Sequence, residues 1–169
     1  MLIDASSGMA CCCPSVPSVQ PTPPTEPDAL FVQMSTAQTG IANGAALPLA
    51  GNVRVFGDGL SYDAANHAVV VNETGVYEVQ WHVLTQSAAD AADVVLAFQS
   101  LDGTASVGTS GALAVPADGG TLISGHTVAL LRAGTAWALV NASGSAINIP
   151  AAGTAPAVFA ATLSVTEAE

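Results

Sequence analysis

Three cysteines stand in a row, Cys11-Cys12-Cys13, and the chain has no fourth. Adjacent cysteines pair poorly with each other because the ring they close is strained. A relaxed disulfide must therefore join two chains. Free thiols, lipid attachment and a metal cluster are the other chemistries open to them. Zinc fits poorly, since three consecutive residues cannot spread to a tetrahedron and no histidine follows at ligand spacing. The three histidines, His67, His82 and His126, sit in no catalytic motif. Ser124 precedes Gly125-His126, but the sharp nucleophile turn of a hydrolase is missing. Asp90 and Asp93 lack the dense acidic set of a good calcium loop. Gly103, Gly108 and Gly111 read as turn glycines and not as a phosphate cradle, which needs a lysine that this chain does not have. The expectation is a protein that is not an enzyme, with no cofactor and no metal.

The charge pattern narrows the partners. The net charge is −11, and only 9% of residues are charged, against about 25% in ordinary globular domains. Arg54 and Arg132 are the only fixed cations. Such a chain repels nucleic acid and anionic membrane surfaces. A soluble monomer usually carries a charged coat, so this composition favours self-assembly over a plain polar coat of Ser, Thr, Asn and Gln. No run approaches the roughly 18 apolar residues of a membrane helix. MLIDASSGMACCC has no basic start and no long apolar run, so no Sec signal peptide is expected.

The elements behind these residues divide the chain in two. Residues 1–28 form a connector arm, with six of the ten prolines between Pro14 and Pro27. Proline fixes φ and extends its predecessor, which predicts a polyproline-like spacer. Fourteen such residues at ~3.1 Å each reach about 40 Å. From residue 29 to 169 short β-rich runs alternate with turn signals. Strands are predicted at 29–35, 46–49, 53–56, 60–63, 68–71, 76–85, 93–101, 111–115, 121–131, 135–141, 146–149 and 156–168. Short strands at this spacing with no helix predict a sandwich or barrel. The Ala-rich stretch 87–93 is too short for a helix and reads as a loop. In 76–85, Tyr77, Val79, Trp81 and Val83 share one face, and Val76, Glu78, Gln80, His82 and Leu84 share the other. Gly75 before them is expected in a turn at positive φ. Neither face is purely polar, as in a strand covered on one side by its own core and on the other by a neighbouring subunit.

Three runs carry a family likeness. Asn72-Glu73-Thr74-Gly75-Val76-Tyr77-Glu78-Val79 resembles the N-x-T/S-G-x-Y-x-[VI] strand of the complement and tumour-necrosis-factor jelly-roll superfamily. The run from Val128 to Asn141 resembles that superfamily's L-x-A-G-D-x-[VL]-x-L-x-N hairpin. The last strand, Ala157 to Val165, lies close to the C-terminus in the same way. The nearest likeness is to the C-terminal head of BclA-type collagen-like glycoproteins of the spore exosporium, over about residues 29–169. Those proteins carry a Gly-X-Y stalk, which is missing here.

The resemblance implies a ten-stranded jelly roll in a homotrimer, with strands 29–35, 76–85, 135–141 and 156–166 forming the sheet around the threefold axis. Phe31, Tyr77, Val79, Trp81, Trp137 and Phe159 are then candidates for the trimer interface, with packing in the domain core as the other reading of Tyr77, Trp81, Trp137 and Phe159. Cys11, Cys12 and Cys13 become candidate intersubunit crosslinks. Met1, Leu2 and Ile3 become a plug, or a short added strand, for the next trimer. The function implied is a structural subunit of a bacterial, endospore-type surface fibre. Its partners are further copies of itself, an anchoring surface protein and a tip protein, and its location is extracellular. Spore release by mother-cell lysis would explain a missing export signal. The alternative is a trimeric tip head that binds a receptor or glycan on a spore, cell or phage surface.

Overall fold

The computed structural model describes residues 27–151 and 159–168. The arm up to residue 26, and with it Met1, Leu2, Ile3 and Cys11 to Cys13, lies outside the described residues. Twelve strands and no helix are found among those described. In chain order they are β1 Ala29–Met34, β2 Gln38–Ile41, β3 Asn52–Phe56, β4 Leu60–Asp63, β5 Ala68–Val71 and β6 Gly75–Ser87. There follow β7 Ala92–Ser100, β8 Ser106–Val115, β9 Thr121–Leu131, β10 Thr135–Asn141, β11 Ile147–Ile149 and β12 Ala161–Glu167.

Two antiparallel sheets face each other. In the first, β3, β1, β12 and β6 follow in order, and β9 lies on the far side of β6. β11 takes over the β12 side of β6 at Gln86 and Ser87, with β2 beyond it. The second sheet runs β4-β5-β10-β7-β8. Alternation explains the packing between them. Leu30, Val32 and Met34 of β1, Tyr77, Val79, Trp81 and Val83 of β6, and Leu163 and Val165 of β12 all enter the core. Val69, Val71, Leu96, Phe98, Trp137 and Leu139 come from the second sheet. Phe98 and Trp137 stack at 5.8 Å between ring centroids.

The Asn72–Tyr77 run acts as a staple. Asn72 Nδ2 donates to Asp58 O at 2.8 Å, Thr74 Oγ1 accepts from Ala133 N at 2.9 Å, and Tyr77 Oη donates to Glu73 O at 3.0 Å. One short turn thus ties down the β3–β4 and β9–β10 connections. Gly75 is not at positive φ as expected; it opens β6. A Cβ there would lie 3.2 Å from Tyr77 Cε2 and 3.3 Å from Glu167 Oε1, so what Gly75 supplies is room for the anchored ring. Asp28 already belongs to the domain: it is buried, its carboxylate accepts from Gly59 N at 3.0 Å, and it packs on Gly57 and Gly59.

Several expectations are corrected. The 135–141 strand belongs to the second sheet, paired with β5 and β7. The Val128–Asn141 run is therefore no hairpin: its turn, with Gly134 at φ 79°, carries the chain from one sheet to the other. Residues 46–49 form no strand. Ala46 makes one bridge to Val140, and Leu49 N then donates to Leu47 O around Pro48 at 2.7 Å, a tight three-residue turn. Leu47 and Leu49 are buried there. Strand β2 was unexpected: only Ile41 of its four residues is buried, so it carries no alternation signal. β8 starts at Ser106, earlier than expected, and Gly108 and Gly111 are strand residues there. β8 also bulges: Leu113 and Ala114 oppose Asp93 alone, Ala114 takes φ 50°, and its N–H donates to Asp93 Oδ1 at 3.0 Å.

Candidate functional site

The outward face of the first sheet is where apolar surface collects. On β6 and β9 the register sets Val76 opposite Leu130, Glu78 opposite Val128, Gln80 opposite His126, His82 opposite Ser124, and Leu84 opposite Leu122. The even-numbered residues of β6 point outward because the odd-numbered set fills the core. Val76, Val128 and Leu130 are 44%, 56% and 59% exposed at one end, and Leu122 is 63% exposed at the other. Between them lies a polar band. Gln80 Nε2 donates to Glu78 Oε1 at 2.6 Å, His126 Nε2 lies 3.0 Å from the same oxygen, and His82 Nδ1 lies 2.8 Å from Ser124 Oγ. Glu78 and His126 are diagonal neighbours across the ladder, the arrangement in which long side chains of adjacent strands meet. Across β12 the face continues as Thr162, Ser164 and Thr166.

Beyond β12 the face becomes aromatic. Phe31 of β1 and Phe56 of β3 meet edge to face at 6.4 Å. With Gln33, Asn52 and Arg54 they line a hollow of about 220 Å³. Arg54, one of the chain's two cations, thus stands among exposed aromatic rings.

Of the six residues expected at an interface, Phe31 and Phe159 are exposed, and Phe31 points out of the first sheet. Phe159 precedes β12 and lies outside any strand. Tyr77, Val79 and Trp81 are 0% exposed and Trp137 is 6% exposed. A side chain already enclosed by its own chain has no surface to offer a neighbour, so these four are core residues. Sequence reasoning missed Val76, Leu122, Val128 and Leu130. Their signal was the mixed composition of the even-numbered face of 76–85, which has the same character on its partner β9.

Of the polar residues that drew attention for catalysis, His67 sits in the β4–β5 turn of the second sheet at φ 53°, and His82, Asp93, Ser124 and His126 have structural duties or stand on this face. Gly125 lies beneath Trp81, where any Cβ would overlap the indole ring. Trp81 Nε1 donates to Ser110 Oγ at 2.8 Å. His82, Ser124 and His126 belong to the outward band. Asp93 holds the β8 bulge.

No protein-family profile matches the chain, and no curated protein is similar to it. Solved structures are. Eiger TNF from S. frugiperda aligns with a TM-score of 0.62 at 15% identity, over 84% of this chain and 92% of that one. The globular domain of zebrafish complement 1qA aligns at 0.58 and 12%, over 82% and 94%. Murine APRIL aligns at 0.58 and 14%, over 85% and 100%. The fold is the complement and tumour-necrosis-factor jelly roll. The likeness is one of architecture, and among the described residues no helix is long and apolar enough to cross a membrane.

Proposed function

We propose that the chain forms a homotrimer through the outward face of its first sheet, and that trimers join through their N-terminal arms into a fibre on a bacterial, endospore-type surface. One observation carries this reading: Val76, Leu122, Val128 and Leu130 stand exposed on a single sheet face. Exposed apolar groups concentrated on one face mark an interaction surface. Phe31 and Phe56 extend the apolar surface, and Phe159 is exposed as well. The jelly-roll resemblance supports a trimer as the assembly. The near-absence of cations and the total lack of lysine support subunits that hide much of their surface from water.

The arm supplies the longitudinal link. Met1, Leu2 and Ile3 plug into the next trimer, and Cys11, Cys12 and Cys13 crosslink neighbouring arms covalently. A trimer brings nine thiols together, an odd number, so at least one is left to reach beyond it. An anchoring protein at the base and a tip protein complete the fibre outside the cell.

Electron microscopy of the purified protein tests this, with and without reductant and with residues 1–13 deleted. The full chain should give fibres that shorten or soften in reductant, and the deletion should give discrete trimers. Fibres from the truncated chain would overturn the role of the arm. Discrete trimers from the full chain would favour the receptor-binding tip head.

A further inference from the structure

A second concave feature lies at the end of the sandwich where the β7–β8 and β9–β10 turns come together, and it meets the sheet face at Leu130. It is a cleft of about 520 Å³ whose walls include Leu101, Asp102, Val107, Leu130, Arg132 and Trp137. That size is within the range of small-molecule sites. Its polar chemistry is unevenly used. Ser100 Oγ, Thr104 N and Thr104 Oγ1 all donate to Asp102 Oδ1, at 2.6, 3.0 and 2.8 Å. Those bonds lock the carboxylate and, led by the Ser100 bond, hold it below the usual carboxylate range. Oδ2 has no hydrogen-bond partner among the described residues. Thr135 Oγ1 is occupied, donating to Arg132 O at 2.6 Å and accepting from Trp137 Nε1 at 2.8 Å. The Arg132 guanidinium has no hydrogen-bond or ion-pair partner among the described residues, although the chain carries 13 acidic side chains.

The cleft therefore offers one fixed acceptor, one free donor fork and apolar walls. A carboxylate or phosphate ligand would satisfy Arg132 but would be repelled by Asp102 and by the field of a chain with net charge −11. A hydroxylated ring satisfies both groups: an O–H donates to Asp102 Oδ2, a second oxygen accepts from Arg132, and the C–H face lies against Leu101 and Val107. We propose that this cleft binds a neutral saccharide of one or two units, with Asp102 and Arg132 as the two polar contacts. Asp102, Arg132, Leu101 and Val107 lie off the face proposed for the trimer, so the site stands whether or not the trimer and fibre reading holds.

The test is saturation-transfer NMR and titration calorimetry on the full chain in reductant, with glucose, N-acetylglucosamine, rhamnose and lactose as probes and glucuronate as the acidic control. The same samples go through sedimentation to fix their oligomeric state separately. At least one neutral probe should bind at millimolar concentration or tighter, and glucuronate should bind more weakly. Asp102→Asn keeps an acceptor for the three internal bonds but turns the free acceptor into a donor. Arg132→Gln removes the fork. Each should weaken binding at least tenfold with an unchanged melting temperature. Ala105→Trp, which fills the cleft from its exposed lining, should abolish binding. Equal binding in all three variants would overturn the proposal, as would glucuronate binding most tightly, or no probe binding at all.

Discussion

Replacing Val128 with arginine separates the isolated domain from its assembly. Val128 points out of β9, is 56% exposed and stands opposite Glu78. In the single chain an arginine there forms an opposite-charge cross-strand pair with Glu78, a small gain of about 0.2–1 kcal/mol, so the domain should melt as before. At a subunit interface the effect is opposite. Fully burying a valine contributes about 2 kcal/mol, so covering the exposed half of this one contributes about 1 kcal/mol per subunit and about 3 kcal/mol per trimer. At 1.4 kcal/mol per decade, losing it weakens association roughly a hundredfold. Desolvating the new guanidinium adds to that unless its pairing with Glu78 survives. The midpoint of a monomer–trimer equilibrium scales with the square root of its constant, so sedimentation velocity of the full chain in reductant, over a dilution series, should show trimers giving way to monomers at a concentration about tenfold higher or more. A V128R protein that dissociates at the wild-type concentration would refute the placement of the interface on this face. So would a wild-type protein that is monomeric throughout.

Two further outcomes follow from the core. Gly125→Ala pushes a methyl group against the Trp81 ring; overpacking of this kind costs about 1–3 kcal/mol, read as a fall of several degrees in a thermal melt followed by circular dichroism, and an unchanged melt would mean that the indole is not seated on Gly125. Tyr62, whose hydroxyl donates to Leu49 O, has its pKa pushed from 10.0 up to about 12, mainly by burial and secondly by the charge of Asp63. Because the folded value lies above the unfolded one, its contribution to stability is whole below pH 10.0 and is lost as pH rises through about 12. In a Tyr77→Phe background, phenolate absorbance should appear only near the upper value, and ionisation at pH 10.0 would show that Tyr62 is not enclosed.

Strand positions were legible because alternation is local. β4, β5, β9 and β10 begin and end where the sequence places them, and Gly103, read as a turn glycine, lies in a turn. Strand partners were not legible. Nothing within TAWALVN says that it pairs with β5 and β7 instead of β6, because pairing is a property of the closed sandwich. For the same reason Tyr77, Trp81 and Trp137 could be read either as interface or as core. Size and apolarity mark Tyr77, Trp81 and Trp137 as buried, and the jelly roll buries them inside the chain. The outward face was visible as a mixed alternate row in 76–85, but its apolar ends appear only when β9 is laid beside it. β2 escaped notice because backbone pairing to β11, helped by Gly40 N donating to Asn148 Oδ1 at 2.8 Å, holds it in place of side-chain burial.

The β8 bulge has a consequence for the open flank of the second sheet. β8 closes one flank of the second sheet, and an open flank invites another strand to add on. Many proteins place lysine at such a flank, and this one has none to place. Instead Asp93 turns the Ala114 N–H inward and takes it for itself, and the left-handed residue there breaks the straight row of donors and acceptors that a newcomer would need. The 81%-exposed Leu113 next to it is thereby kept from seeding a sheet between molecules. Geometry at one alanine does the work that surface charge does elsewhere.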